Sequence, residues 1–140
     1  MPFLLDTVTI SAFRRPDKAN PNLVRWQKAQ RGTVGWVSVV TLNELRYGIN
    51  KAKGRDPIFS SHLLTWYASI VSMPTQFRIL NVDRAIAELA ADFRAAHGTP
   101  FEDSLIAATA KVHGLTLATR NTADFQATGI SLVNPWEHSD

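Results

Sequence analysis

The 140-residue sequence contains no cysteine, which excludes disulfide bonds, thiolate metal ligands and cysteine nucleophiles. It has no closely spaced histidines, so a zinc site built on imidazoles is not expected; the four lie at His62, His97, His113 and His138. Long apolar runs are also missing, because stretches such as residues 105–110 are far shorter than the about 20 residues that cross a bilayer. The first residues lack the basic segment of a signal peptide. Any metal site must therefore use mainly carboxylate oxygens, and we expect a cytoplasmic protein with no membrane partner.

Positive charge is concentrated in the first half of the chain. Residues 1–70 hold ten basic and four acidic side chains, a net charge of +6, whereas residues 71–140 hold five basic and eight acidic ones, a net charge of −3. A basic half indicates an anionic partner such as nucleic acid, membrane headgroups or an acidic peptide, although solubility alone would also account for it. The length and a hydrophobic content of 45% fit a single domain over residues 1–140.

Apolar patterns of period two and period 3.6 alternate along the chain and predict an α/β protein. The predicted strands cover residues 3–5, 34–40, 77–82, 115–119 and 130–133. The predicted helices cover residues 8–13, 21–30, about 42–53, about 58–71, about 86–97 and 100–113. Strands that alternate with helices form mostly parallel sheets with helices on both faces, and such sheets place their sites beyond the carboxyl ends of the strands.

Four carboxylates are predicted at that edge of the sheet. Asp6 ends the first strand, Glu44 falls in the first turn of the helix after the second strand, Asp103 heads the buried helix over residues 100–113, and Asp124 follows the fourth strand. Carboxylates this close together repel one another unless protons or cations neutralise them. Oxygen ligands without histidine or cysteine favour Mg²⁺ or Mn²⁺.

Three of these acids also have a purely structural explanation. Thr41 to Glu44 matches a capping box, in which Glu44 would only satisfy a backbone N–H. Asp6 could cap the helix that follows it. Asp124 could be a first-turn acid that the helix dipole favours.

Asp103 is harder to explain structurally. Thr99 to Glu102 reads as a capping box with Pro100 at the first helical position, which gives Glu102 the capping role and leaves Asp103 inside the helix above an apolar stripe. Burying such an acid is costly unless it is paired or binds a metal. An ion pair with an arginine remains an alternative, but the pattern favours function.

Other polar and aromatic side chains are weaker candidates. Thr119 and Asn121 could hold a metal-bound water or a phosphate, or could simply form a turn. Basic side chains that could contact phosphates are Arg14, Arg15, Lys18, Arg25, Lys28, Arg31, Arg46, Lys51, Lys53 and Arg55. Tryptophans that could stack on bases, with packing as the default role, are Trp26, Trp36, Trp66 and Trp136.

Four segments together carry a resemblance to a known family. They are FLLDT at residues 3–7, LNELRYGI at 42–49, FEDSLIAATA at 101–110 and LATRNTADF at 117–125. In this combination and order they resemble the PIN-domain family, and more closely the FitB-like branch of the VapC toxins of type II toxin–antitoxin systems. The resemblance covers essentially the whole chain and implies a three-layer α/β/α fold with a mostly parallel sheet of four to five strands.

The resemblance also implies an activity. Members are Mg²⁺- or Mn²⁺-dependent ribonucleases, usually homodimeric, that a VapB-type antitoxin holds inactive, and they hydrolyse RNA to leave a 5′-phosphate. The family's four acids map onto Asp6, Glu44, Asp103 and Asp124. Its supporting polar residues map onto the Asp-Thr pair at Thr7 and onto Thr119 or Asn121. RNA contacts are expected from Arg14, Arg15 and Arg46.

One departure from the family pattern leaves two other functions open. Many members carry Asn after the Asp-Thr pair, where this chain has Val8. The departure is compatible with a non-catalytic RNA- or protein-binding module on a degenerate PIN fold. A phosphatase with Asp6 as nucleophile is a further alternative, but that chemistry usually needs a second Asp at the position that Val8 occupies.

Overall fold

Short apolar segments separated by helices give this chain a central sheet. The computed structural model describes residues 2–139. Its strands are β1 (Phe3–Leu5), β2 (Gly35–Ser38), β3 (Phe77–Leu80), β4 (Thr116–Ala118) and β5 (Leu132–Val133). Its α-helices are α1 (Thr7–Ala12), α2 (Pro21–Ala29), α3 (Val39–Lys53), α4 (Pro57–Ser72), α5 (Arg84–His97) and α6 (Phe101–His113). Single 3₁₀ turns cover Thr122–Asp124, Gln126–Thr128 and Pro135–Glu137.

The five strands form one sheet in the order β3-β2-β1-β4-β5, and every pairing is parallel. The chain builds outward from β1 through β2 to β3, and then returns to the other side of β1 to form β4 and β5. The strand order therefore reverses between β1 and β4, which is where open parallel sheets leave a crevice at their carboxyl ends. The prediction of a mostly parallel sheet of four to five strands is confirmed.

Side chains that alternate along the strands form two cores, one on each face of the sheet. Leu4 and Leu117 are fully buried against α5 and α6. Leu5, Val37 and Ala118 point to the other face and pack with side chains of α1, α2, α3 and α4. The result is the three-layer α/β/α arrangement that the resemblance implied.

Most predicted element ends are within two residues of the observed ends, and the junction of β2 and α3 is the exception. The strand predicted over residues 34–40 ends at Ser38, and Val39 already begins α3. The cause is the hydroxyl of Ser38, which accepts a hydrogen bond from the N–H of Val40 at 3.0 Å and so caps the helix. The predicted cap at Thr41 is wrong: this side chain lies inside α3, and its buried hydroxyl has no hydrogen-bond partner in the described part of the chain.

The outer surface of α4 is unusually apolar. Its exposed side chains include Ile58, which is 74% exposed, together with Phe59, Leu64 and Val71. Four large apolar side chains exposed on one helix make α4 a candidate interaction surface. None of the helices between residues 2 and 139 combines the length and hydropathy needed to cross a bilayer.

Candidate active site

Backbone and hydroxyl hydrogen bonds tie together the ends of β1 and β4, where the site lies. The N–H of Asp6 and the hydroxyl of Thr9 both donate to the carbonyl of Ala118, at 3.4 and 2.9 Å. Asp6 is only 9% exposed, and its Oδ1 accepts a hydrogen bond from the N–H of Thr9 at 2.9 Å. Asp6 therefore caps α1, as its position in the sequence suggested. The cap uses one carboxylate oxygen and leaves Oδ2 without a protein donor in the described residues.

Glu44 approaches this edge from α3. Because Ser38 caps that helix, Glu44 lies in the second turn and not in the first, and the predicted capping box does not form. Its carboxylate instead accepts a hydrogen bond from the hydroxyl of Thr7, at 3.0 Å to Oε1. This bond joins α1 to α3 and fixes the orientation of Glu44 beside the end of β1.

The pKa of Glu44 is raised above its ordinary value of 4.5. Burial is the largest cause, because the half-buried carboxylate loses hydration. The hydrogen bond from Thr7 acts in the opposite direction, and the negative charges of Glu102, Asp103 and Asp6 raise the pKa further. Glu44 thus experiences the field of acids from two other segments of the chain.

Asp103 is the third residue of α6 and is half-buried. The capping box predicted for this helix is absent, since Pro100 precedes the first helical residue and no side chain caps the helix. The hydroxyl of Thr99 donates instead to the carbonyl of Phe93, at 3.4 Å. The capping role assigned to Glu102 was therefore wrong.

Like charges surround Asp103. Its pKa is raised first by burial and then by the negative charges of Asp124, Asp6 and Glu102. Every charge that shifts the pKa of Asp103 or Glu44 belongs to a carboxylate. Glu102 is consequently a fifth acid of this region, which the sequence analysis missed because its position fitted a cap.

The chemistry of this acid cluster, namely Asp6, Glu44, Glu102, Asp103 and Asp124, fits a hard divalent cation. In the conformations found here, no three Asp, Glu or His side chains of residues 2–139 form a group that closes around one metal ion. Mg²⁺ does not need such a cage, because it retains several waters and is commonly held by one or two carboxylates. Oxygen-only donors in a field of uncompensated negative charge suit a hydrated cation of this kind.

The segment after β4 places the last of the predicted residues. Thr119 is fully buried; its N–H donates to the carbonyl of Val133 at 3.0 Å, and its hydroxyl accepts from the N–H of Asn121 at 3.0 Å. These bonds form the turn that leads into the 3₁₀ turn carrying Asp124. The side chain of Thr119 therefore has the turn-forming role, while Asn121 and Asp124 are exposed.

The predicted RNA-binding arginines do not lie together. Arg14 and Arg15 line a groove of about 620 Å³ that begins at Thr7, next to the acid cluster. Arg46 is outside that groove, with its guanidinium 5.3 Å from the centre of the Tyr67 ring.

Comparison with known proteins gives consistent similarities. A family model described as the PIN domain matches residues 3–130. The sequence is 33% identical to the VapC ribonuclease Y4jK of Sinorhizobium fredii, over 96% of this chain and 97% of that protein. The crystal structure of FitAcB from Neisseria gonorrhoeae matches with a TM-score of 0.78 and 34% identity, covering 96% of this chain and 99% of that one. A toxin-antitoxin complex from Klebsiella pneumoniae matches with a TM-score of 0.67 and 26% identity, covering 94% of this chain and 96% of that one.

Proposed function

The chain belongs to the PIN-domain family, and from that premise we propose that it is a metal-dependent endoribonuclease, the toxin of a type II toxin–antitoxin pair. The observation that carries the proposal is the acid cluster, in which the negative charges of acids from distant segments raise the pKa of Glu44 and of Asp103, with no cation among the causes. Similarity to a protein named as a VapC ribonuclease supports the nuclease activity. Similarity to a toxin-antitoxin complex supports an antitoxin partner.

We assign the cation, Mg²⁺ or Mn²⁺, to four of the acids. Asp6 and Asp103 are the principal ligands, directly or through water, and Glu44 and Asp124 complete the site. A cation held there would supply the Lewis acid that lowers the pKa of a water and offsets charge developing on the phosphate. In the hydrolysis, a water oxygen attacks phosphorus in line, the bond from phosphorus to the 3′ oxygen breaks, and the product carries a 5′-phosphate.

Residues around the acids hold them in place. The N–H of Thr9 fixes one oxygen of Asp6, and the hydroxyl of Thr7 fixes one oxygen of Glu44. The buried turn at Thr119 positions the segment that carries Asp124. These contacts orient carboxylates that would otherwise rotate away from one another, because like charges favour separation.

A purified sample freed of antitoxin tests this activity directly. We expect it to cut RNA with Mg²⁺ or Mn²⁺, to leave 5′-phosphate ends and to be inactive in EDTA. Cleavage that persists in EDTA with the same products would contradict the metal assignment. A phospho-enzyme trapped at Asp6 would instead support the phosphatase alternative.

The non-catalytic binding module remains the second candidate, and one observation favours it. Val8, at the position where many family members carry Asn, is 44% exposed beside Asp6 and offers no polar atom to orient it. If the antitoxin-free protein binds RNA but cuts none with either metal, the binding module is the better description.

We further propose that the antitoxin covers the apolar surface of α4, whose exposed Ile58, Phe59, Leu64 and Val71 would then be removed from water. An antitoxin tail that reaches the acid cluster would carry Arg or Lys, because a cationic group can take the place of the metal ion. The toxin itself is proposed to be a homodimer, which light scattering of the antitoxin-free protein can test. Ile58→Asp should weaken antitoxin binding without reducing RNA cleavage.

A further inference from the structure

One fully buried hydroxyl in the described part of the chain has no hydrogen-bond partner, and it belongs to the helix that carries Glu44. This is the hydroxyl of Thr41 in α3. Buried hydroxyls are almost always hydrogen-bonded, because the bonds to water that they lose on folding have to be replaced. Packing alone does not account for threonine at this position, since valine has nearly the same shape and buries no polar atom.

The contacts of α3 place Thr41 beside α1. Residues three and four positions after Thr41 lie on the same side of the helix. The first of them, Glu44, accepts the hydrogen bond from Thr7 at 3.0 Å, and the second, Leu45, belongs to the same buried apolar cluster as Ile10 of α1. Side chains of a helix tilt toward its N-terminus, so the hydroxyl of Thr41 is directed toward the start of α3.

The start of α3 is level with Asp6. Strands β1 and β2 are parallel, with Leu4 opposite Trp36. The same register continued by two residues brings Asp6 level with Ser38, which caps α3. Adjacent strands are separated by about 4.8 Å. Asp6, Ser38 and Thr41 are therefore gathered at the carboxyl ends of two neighbouring strands.

These three side chains have complementary hydrogen-bonding groups that are not used. Oδ1 of Asp6 accepts from the N–H of Thr9, but Oδ2 has no donor among the described residues. The oxygen of Ser38 accepts from the N–H of Val40, while its own O–H, like that of Thr41, has no acceptor among them. Ser38 and Thr41 are 0% exposed and Asp6 is 9% exposed, so bulk water does not satisfy these groups. One buried water could bond to all three, which is the usual number of partners for such a water.

We propose that Thr41 is a positioning residue of the acid cluster: its hydroxyl, through one buried water shared with Ser38, holds Oδ2 of Asp6. The inference rests on the proposed function and adds a residue to its site. With Oδ1 fixed by Thr9 and Oδ2 fixed by the water, the carboxylate cannot rotate. Each carboxylate oxygen accepts two bonds, so Oδ2 can still bind a cation. Groups that orient metal ligands in this way raise the affinity for the metal without touching it.

Melting in EDTA tests this tie without any metal. Thr41→Val removes the hydroxyl and keeps the shape of the side chain. If the hydroxyl had no partner, the variant should melt a few degrees above the wild type, because a desolvated polar group is removed. The proposal predicts the opposite sign. Thr41→Val should melt a few degrees below the wild type, because the water and Oδ2 of Asp6 lose a donor.

Calorimetric titration with Mn²⁺ at pH 7 tests the effect on the site. Thr41→Val should bind Mn²⁺ about tenfold more weakly than the wild type, and Thr41→Ser, which keeps the hydroxyl, should restore most of the affinity. In Asp6→Asn an amide N–H replaces the acceptor Oδ2. Thr41→Val should therefore cause no further loss in that background, since it acts only through Asp6.

Thr109→Val is the matched control. Thr109 is also fully buried in a helix, and its hydroxyl donates to the carbonyl of Leu105 at 2.7 Å, within α6. Its removal should leave Mn²⁺ affinity unchanged, whatever it does to the melting temperature.

The proposal is overturned if Thr41→Val melts above the wild type in EDTA, or if it binds Mn²⁺ as the wild type does. A loss of affinity that is equally large in the Asp6→Asn background, or in Thr109→Val, would also overturn it. If the wild type binds no Mn²⁺, the metal site of the proposed function fails. Melting of Thr41→Val below the wild type would then still support the tie to Asp6.

Discussion

The acid cluster and the basic groove share the edge of the sheet at β1 and β4 but are assembled in different ways. The cluster joins five acids from four segments that are distant along the chain, namely Asp6, Glu44, Glu102 with Asp103, and Asp124. The groove is built mainly from residues 7–23, with Arg120 and Trp136 added from the end of the chain. These opposite charges suit a substrate with an anionic backbone. The basic groove would attract the backbone, and the acids would hold a cation at the reacting phosphate.

The two regions also differ in their electrostatic effect on the stability of the folded protein. The acids repel one another, and the two that are half-buried, Glu44 and Asp103, have raised pKa values. The cations of the groove are more exposed, and two of them lie over aromatic rings. A surface of exposed cations can be kept for solubility alone, whereas a cluster of repelling acids needs a function to account for it.

The largest effect is expected for Asp103→Asn, which removes the acid in the middle of the cluster while keeping its shape. Removing a major electrostatic contributor of this kind typically reduces the rate by at least about a hundredfold. Initial cleavage rates measure this loss, and circular dichroism on the same preparation should show that the fold is intact. The matched control is Asp92→Asn on the exposed side of α5, which should cut at the wild-type rate. Unchanged cleavage by Asp103→Asn would contradict the assignment of Asp103 as a principal ligand of the cation.

The next largest effect concerns the groove and not the cluster. The groove is lined by four cations, Arg14, Arg15, Lys18 and Arg120. If they each contact a phosphate of single-stranded RNA, affinity should fall about fiftyfold between about 50 and 200 mM salt, because each contact adds about 0.7 to the logarithmic slope. Asp103→Asn should bind RNA with the same slope as the wild type. A flat salt response would assign the positive charge to solubility.

A smaller effect is expected at Thr7, which touches both regions. Thr7→Val removes the hydrogen bond to Glu44 at 3.0 Å, and loss of such a supporting contact typically weakens metal affinity by about tenfold. Calorimetric titration with Mn²⁺ would measure the change. Thr65→Val is the control, because the hydroxyl of Thr65 bonds only within α4. Equal Mn²⁺ affinity in both variants would show that the bond to Glu44 does not orient the site.

The smallest effect is on stability without metal. The raised pKa values of Glu44 and Asp103 mean that the folded protein binds more protons than the unfolded chain as pH rises above their ordinary values of 4.5 and 3.8. Their contribution to stability is therefore present at low pH and is lost as pH rises through the raised values. In EDTA, Asp103→Asn should melt a few degrees above the wild type at pH 7, and the gap should narrow toward pH 4. A variant that melts below the wild type at pH 7 would contradict the repulsion.

Local patterns predicted the parallel sheet and the edge where the acids lie, because apolar periodicity reports directly on burial. They failed where two caps compete. Both Ser38 and Thr41 can cap α3, and only the packed structure shows that Ser38 does so. The same ambiguity hid Glu102, whose spacing from Thr99 fits a cap that the hydroxyl of Thr99 does not make.

The arginines show a different limit of sequence reasoning. Arg46 was grouped with Arg14 and Arg15 because all three are basic and lie in the first half of the chain. The structure separates them, because Arg14 and Arg15 line the groove whereas the guanidinium of Arg46 lies over the Tyr67 ring of α4. Arg120 completes the groove from a position more than a hundred residues later, and no local pattern reports such a contact.

The central claim is that acids from separate segments hold one divalent cation together, and titration of the metal-free protein with Mn²⁺ at pH 7 tests it most directly. Asp6→Asn keeps an oxygen that can cap α1, and Asp103→Asn keeps the shape of α6, so each variant changes mainly the charge at the site. The claim predicts one site in the wild type, at least about tenfold weaker binding in each variant, and wild-type binding in Asp92→Asn. Equal Mn²⁺ affinity in all four proteins would contradict it.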